Sequence, residues 1–178
     1  IACVGVISKV NMVFMAICIG ISQGSQPIWG FNYGAKKYDR VRQAYRYSVT
    51  ACTVIATIFF FCFQIFPHQI VGIFGTGSEL YFQFAERYLK IFMFMTFANG
   101  IQPVSSSFFT SIGMAKLGIV MSLTRQVIFL LPLIIIFPLF MGIDGVMYAG
   151  PIADAAAFVL AIVFARRELG KMRSAEIV

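Results

Sequence analysis

Long apolar runs dominate this chain of 178 residues, and they constrain its fold more than any other feature. A run of about 20 apolar residues can cross the hydrocarbon core of a bilayer as a helix, because a helix satisfies its own backbone hydrogen bonds where water is absent. Five such runs are separated by short polar or glycine-rich breaks, at residues 3–28, 45–66, 86–112, 118–140 and 145–165. The sequence therefore predicts an all-α, polytopic membrane helix bundle.

Composition supports lipid rather than water as the solvent. Hydrophobic residues make up 60% of the chain and charged residues 12%, whereas a soluble domain has about 25% charged residues. Residues 128–141 read IFLLPLIIIFPLFM, without the polar face that a soluble helix shows at 3.6-residue spacing. We expect residues 1–166 to form the transmembrane part and residues 167–178 to form a basic cytoplasmic tail.

Basic residues fall mainly on one side of the predicted bundle. Eleven of the fourteen lie in or beside alternate breaks: Lys36, Lys37, Arg40, Arg42, Arg46, Lys116, Arg125, Arg166, Arg167, Lys171 and Arg173. The breaks at 67–83 and 142–144 contain none, so the positive-inside rule assigns the basic side to the cytoplasm. The chain then begins outside and ends inside a plasma membrane. Nucleic acid is a poor partner because these residues lie in short loops beside spans, whereas membrane lipid is expected.

Polar residues gather at the end of the first run. Pro27 removes a backbone donor and favours a kink, and Gly30 and Gly34 allow close helix approach. We interpret Gln26, Pro27, Gly30 and Gly34, together with Pro103 of the third run, as helix hinge residues. We expect Trp29 to mark the membrane interface. The alternative is a plain packing helix that leaves the membrane through polar residues.

The third run contains a second polar group, in which Asn99, Gln102 and Pro103 lie within five residues. Asn99 is expected near mid-membrane, where an unpaired amide costs several kcal/mol, so it should face protein or water. Gln102 extends the same face, and Pro103 breaks the backbone hydrogen-bond ladder. Serines 105–107 are expected to bond back to carbonyls one turn earlier.

Asp154 is the charged residue deepest in the last run. A carboxylate at that depth costs roughly 2.5–3.5 kcal/mol on insertion scales, which favours a functional role. Arg125 is offset from it by about five residues along the bundle, within reach of a long side chain. Ion coupling and a structural ion pair with Arg125 both remain open.

Several enzymatic motifs are missing from the sequence. It contains neither a phosphate-binding GxxxxGK[ST] loop nor HExxH. The remaining chemistry favours moving a solute over breaking bonds, so we expect no catalytic residues, no metal and no cofactor. The chain also opens inside an apolar run without an initiator Met, and we expect it to be a piece of a larger membrane protein.

Four segments resemble the multidrug and toxic compound extrusion (MATE) family, close to the bacterial multidrug export type. They are GISQGSQPIWGFNYGAKKYDRV at 20–41, NGIQPVSSSFFTSIGMAK at 99–116, the R-Q-x5-P pattern from Arg125 to Pro132, and GPIADAAAFVLA at 150–161. The resemblance covers almost the whole chain, and the first segment is fairly specific.

The resemblance implies a twelve-helix transporter with two lobes, of which this chain is helices eight to twelve. It also implies export of cationic, amphiphilic compounds against Na⁺ or H⁺, together with a missing N-terminal lobe. A cavity lined by Asn99, Gln102, Phe94 and Phe97 could hold drug cations. Family coupling acids lie mostly in helices outside this chain, and the mid-depth polar residues of its tenth helix are Asn99 and Gln102, with no acid. The alternatives are a lipid-linked oligosaccharide flippase of the same superfamily and a non-transporting membrane module.

Overall fold

The computed structural model describes residues 2–74 and 79–175, and within them the chain is helical apart from short turns. The elements in chain order are α1 (Ala2–Gly34), α2 (Tyr38–Ile65), α3 (Pro67–Phe74), α4 (Glu79–Phe92), α5 (Thr96–Asn99), α6 (Ile101–Ser111), α7 (Ala115–Leu123), a π-helical segment (Thr124–Leu130), α8 (Leu131–Met141) and α9 (Ile143–Ala175). The predicted all-α class is confirmed.

Four stretches of the described residues are long and apolar enough to cross a membrane. They are Gly5–Gly34, Tyr38–Ile65, Ala115–Met141 and Asp144–Ser174. Each contains one of the predicted spans almost entirely and extends beyond it at the basic side. The length of these helices, with their apolar surfaces, is what a polytopic membrane protein requires.

The predicted third span, 86–112, is wrong as one continuous helix. The chain there forms α4, a turn at residues 93–95, the short α5 and then α6. Pro103 explains the second break, because it lacks an N–H and its ring would clash with the carbonyl of Asn99, four residues earlier. The helix therefore ends at Asn99, and Pro103 takes the third position of α6, where an intrahelical donor is not needed.

This broken stretch nevertheless runs parallel to α1 along its length. Near the start of α1, Ile7 shares a buried cluster with Leu89 of α4. Near the end of α1, a Cβ on Gly30 would lie 3.2 Å from the carbonyl oxygen of Ser111, the last residue of α6. The predicted third span thus lies along α1 as separate helical pieces, and it is not among the four stretches that are long and apolar enough to cross a membrane.

Trp29 lies in the core, so the expectation that it marks the interface is wrong. Its side chain is fully buried, with ring centroids 5.6 Å from Phe108 and 6.3 Å from Tyr45. Phe14 and Cys18 of the same helix are also fully buried in this cluster. The three α1 residues follow the helical repeat, so α1 presents one continuous face to the core.

The last helix reaches past the predicted start of the tail at residue 167. It continues to Ala175, and residues 176–178 lie outside the described part. Glu168 and Met172 are buried at the end of the bundle where α1 joins α2, and Lys171 Nζ lies 2.9 Å from Glu168 Oε2. Up to Ala175 the predicted tail is therefore a packed helix.

Candidate functional site

Asp154 is the centre of a buried polar network that joins three parts of the bundle. Arg125 reaches its Oδ1 with both Nε and Nη2, each at 2.7 Å, from the π-helical segment. Asn99 Nδ2 at the end of α5 donates to Oδ2 at 2.6 Å. Both carboxylate oxygens therefore accept hydrogen bonds, and the network connects α5 and the π-helical segment to α9.

Burial makes this pairing necessary. The Asp154 side chain is 5% exposed and that of Arg125 is 12% exposed. Removing a charged group from water costs several kcal/mol, and only a close countercharge with further hydrogen bonds offsets that cost. Asn99, itself 5% exposed, supplies the further hydrogen bond. The network thus has a buried acidic end and a slightly more accessible basic end.

Helix irregularities position the network. Arg125 lies in the π-helical segment, where the Leu131 N–H bonds to the Gln126 carbonyl five residues earlier. Pro132 gives a physical reason for the wider turn, since it cannot donate and its ring crowds the carbonyl of Ile128. Segments of this kind are often found at functional sites.

Gly150 allows α9 to approach α4 closely beside the network. A Cβ at this glycine would lie 2.5 Å from the ring of Phe92. A larger side chain would therefore require the Phe92 ring or α9 to shift, four residues before Asp154. Gly150 thus has a packing role where α9 meets the end of α4.

A cavity of about 220 Å³ opens beside the basic end of the network. Its polar lining consists of Gln102, Ser106, Ser107, Ser122, Arg125 and Gln126, and Met15, Ile19 and Pro103 complete it. Gln102 Nε2 donates to the Met121 carbonyl at 3.3 Å. The cavity lies among α1, α6, α7 and the π-helical segment, and it is the concave part of the candidate site.

The residues predicted to line one cavity are separated in the structure. Gln102 and Pro103 line the cavity just described, whereas Asn99 is engaged by Asp154. Phe94 lies in the turn after α4, is 56% exposed and packs against Phe60 with ring centroids 6.1 Å apart. Phe97 belongs to α5, but its side chain lies outside the described residues.

Four of the five predicted hinge residues lie in one unbroken helix, whereas Pro103 lies in α6 just after the break that follows α5. α1 runs through Gln26 and Pro27 to end at Gly34. Gly30 makes the close approach to α6 noted above, whereas a Cβ on Gly34 would meet open space within the described part of the chain. The glycine at 30 thus has an observed packing reason, and hinge motion stays a prediction.

Serine contacts between helices are what sequence reasoning missed. Ser105 Oγ lies 2.8 Å from Tyr45 Oη, and Ser106 Oγ donates to the Gly118 carbonyl at 2.8 Å. The expectation that these two serines bond back along their own helix is therefore wrong. Their spacing in the sequence does not indicate whether a serine bonds within its own helix or to a neighbouring one.

Among residues 2–74 and 79–175, no group of three His, Cys, Asp or Glu side chains could hold a metal ion.

Comparison with known proteins gives consistent matches. The sequence model of the MatE family matches residues 1–143. The multidrug export protein MepA of Staphylococcus aureus (strain bovine RF122 / ET3-1) is 23% identical over 164 residues, covering 91% of this chain and 36% of that protein.

Solved structures match as well. The MATE multidrug transporter DinF-BH, whose structure was solved as a complex, is 35% identical with a TM-score of 0.84, over 92% of this chain and 36% of that chain. An outward-facing MATE family transporter of the MOP superfamily has a TM-score of 0.89 at 16% identity, over 97% of this chain and 39% of that one. The chain therefore spans between 36% and 39% of the length of these relatives.

Proposed function

Because the chain belongs to the MatE family, whose model matches residues 1–143, we propose that it forms most of the C-terminal lobe of a drug exporter. The family is one of membrane transporters rather than enzymes. The proposed transporter exports cationic, amphiphilic compounds and takes up Na⁺ or H⁺ in exchange. The missing N-terminal lobe of the same protein would be its main partner.

One observation supports this function above the others: a polar cavity lies within an otherwise apolar bundle. Its six polar lining residues would be costly in a bundle that only packs, because each must find a partner or water at membrane depth. A polar recess beside apolar side chains is suited to a solute with both a charged and an apolar part. Gln102 is the residue that we assign to solute contact.

We assign Asp154 to a structural ion pair rather than to ion coupling. Both of its oxygens are engaged, and it does not line the cavity that exposes Arg125. A coupling ion would have to displace a guanidinium held by two contacts. On this proposal the coupling carboxylates lie in the helices that complement this chain.

The arrangement of basic residues supports a plasma-membrane topology with a cytoplasmic C-terminus. Asp39, Arg42 and Arg46 of α2 line the same cavity as Arg173 of α9. The basic segment after α1 and the basic end of α9 thus lie at one end of the bundle, as the positive-inside rule requires for a cytoplasmic face.

The test is drug resistance in cells that express the full-length transporter with Gln102→Leu. We expect resistance to fall while membrane insertion and protein level stay normal. Gln64→Leu is a matched control, because the Gln64 amide also donates to a backbone carbonyl, that of Lys90 at 3.1 Å, far from the cavity. If Gln102→Leu retains full resistance, or if both variants lose it equally, Gln102 has no specific role in the cavity.

A further inference from the structure

Three arginines meet at the end of the bundle where α1 joins α2 and where α9 ends. They border an open cavity of about 710 Å³ lined by Asp39, Arg42, Gln43, Arg46, Tyr47 and Arg173. This cavity shares no lining residue with the polar cavity at Gln102. The transport site therefore does not account for it.

The lining residues follow from the geometry of one helix face. Asp39, Gln43, Arg46 and Tyr47 are spaced by three or four residues along α2, so they lie on the same side of it. Arg173 joins them from the last turn of α9. Gln43 Nε2 donates to Tyr47 Oη at 3.0 Å, which ties the polar wall together.

The charge of this lining favours an anion. Three guanidinium groups face one carboxylate, which gives a formal charge of +2, and Asp39 is paired with Arg42. Guanidinium groups match phosphate oxygens in a two-pronged geometry that few other side chains provide. A phosphate group is thus the ligand chemistry that the cavity fits.

The surface next to the cavity identifies the source of that phosphate. Val54, Ile58 and Phe61 continue the same face of α2, and more than half of each side chain is exposed. At about 1.5 Å per residue, Phe61 lies about 22 Å along the helix from Arg46, more than one leaflet deep. A free phosphate has no apolar part that could contact this stripe, whereas acyl chains could lie along it.

We propose that the cavity between α2 and the end of α9 binds the phosphate of an anionic phospholipid headgroup. Arg46 and Arg173 hold the phosphate, and the acyl chains follow Val54, Ile58 and Phe61. Basic pockets between membrane helices at the cytoplasmic side bind such headgroups. The proposal rests on the membrane topology given above and does not depend on which solute is transported.

The experiment titrates phosphatidylglycerol with a fluorescent acyl chain into full-length protein in neutral detergent micelles and follows fluorescence anisotropy. Arg46→Gln with Arg173→Gln should weaken binding about thirty-fold, the value for two basic groups near a membrane surface. Arg166→Gln with Arg167→Gln is the matched control, since it removes two exposed charges of α9 outside the cavity. The control pair should stay within about threefold of the parent protein. Equal weakening by both pairs would indicate diffuse attraction and overturn the proposal.

Two further measurements separate the site from misfolding and from free phosphate. Asp39→Asn removes the carboxylate of the cavity and should tighten binding several-fold, a gain that misfolding cannot produce. Unchanged or weaker binding in this variant would contradict the assignment. Inorganic phosphate should displace the lipid only at far higher concentration than phosphatidylglycerol does. Equal potency would show that the ligand is free phosphate and overturn the lipid. Because binding is measured directly, failure here is distinct from failure of drug export.

Discussion

The ion pair between Arg125 and Asp154 should be strongly coupled and unequally sensitive to its two partners. At a separation of 2.7 Å and an effective dielectric constant of about 20, the attraction is about 6 kcal/mol, which the desolvation of both groups largely cancels. Removing one partner leaves the other charge buried, at about 3–5 kcal/mol. We expect Arg125→Met to reach this range, because Asp154 is 5% exposed and does not line the cavity.

Asp154→Leu should be less damaging than Arg125→Met, by about 1 kcal/mol or more. The remaining Arg125 borders the 220 Å³ cavity and can be hydrated there. The double variant keeps neither charge and leaves the Asn99 amide without its acceptor, at about 1–3 kcal/mol. Its loss should therefore fall below the sum of the single losses by at least about 2–3 kcal/mol.

The assay is the free energy of unfolding of the full-length protein, measured by SDS titration in mixed micelles. Arg87→Met is a control, because Arg87 and Asp144 form an exposed pair at 3.6 Å that should contribute less than about 1 kcal/mol. Additive losses at Arg125 and Asp154 would refute the coupling. A larger loss for Asp154→Leu than for Arg125→Met would refute the assigned asymmetry.

Exchanging the two charges tests the structural role of the pair in transport. Arg125→Asp with Asp154→Arg keeps both charges in the network, and Asn99 can rotate its amide to present oxygen to the new guanidinium. If Asp154 is structural, the exchange should restore protein level and transport relative to either single variant. Restored protein level without transport would instead place ion coupling at Asp154.

Two further predictions concern packing. Gly118→Val should destabilise the protein by about 1–3 kcal/mol, because a Cβ there would lie 2.8 Å from the Ser106 carbonyl. Gly24→Val, where a Cβ meets open space, is the control in the same unfolding titration. Equal losses would contradict the close packing of α6 against α7. Trp29→Ala should lower the free energy of unfolding by about 3–5 kcal/mol. Phe31→Ala, at a side chain 83% exposed, should lower it by less than about 1 kcal/mol. Similar losses would place Trp29 outside the core.

Four of the five long helices could be predicted from the sequence because their apolar runs are long enough to leave little choice of structure, whereas the run at 86–112 is broken. The approach of Arg125 to Asp154 could also be expected, since counting residues from the basic side gives their relative depth. The observed contacts at 2.7 Å join the two residues selected by that count. Depth along the membrane normal is thus contained in the sequence, through run lengths and charge positions.

Orientation around each helix axis could not be predicted in the same way. In water, a polar face indicates the outside, but in lipid both faces are apolar. Trp29 is fully buried and Phe31, two residues later, is 83% exposed, although both are aromatic. The partners of Ser105 and Ser106 depend on the same rotation, which is why their contacts across helices had no signal in the sequence.

Two of the three members of the polar network lie where helices are irregular, and the two facts are physically related. Asn99 ends α5 four residues before Pro103, and Arg125 lies in a π-helical segment before Pro132, whereas Asp154 lies within the continuous α9. A regular helix fixes each side chain at 100° from the next, whereas a break or a wider turn lets one residue rotate away from the face of its neighbours. Three side chains from three segments can then converge on one point without a polar stripe along any of them. The irregular turns before Pro103 and Pro132 therefore allow the buried carboxylate of α9 to be fully satisfied, and the satisfied charge in turn holds the two irregular segments against α9.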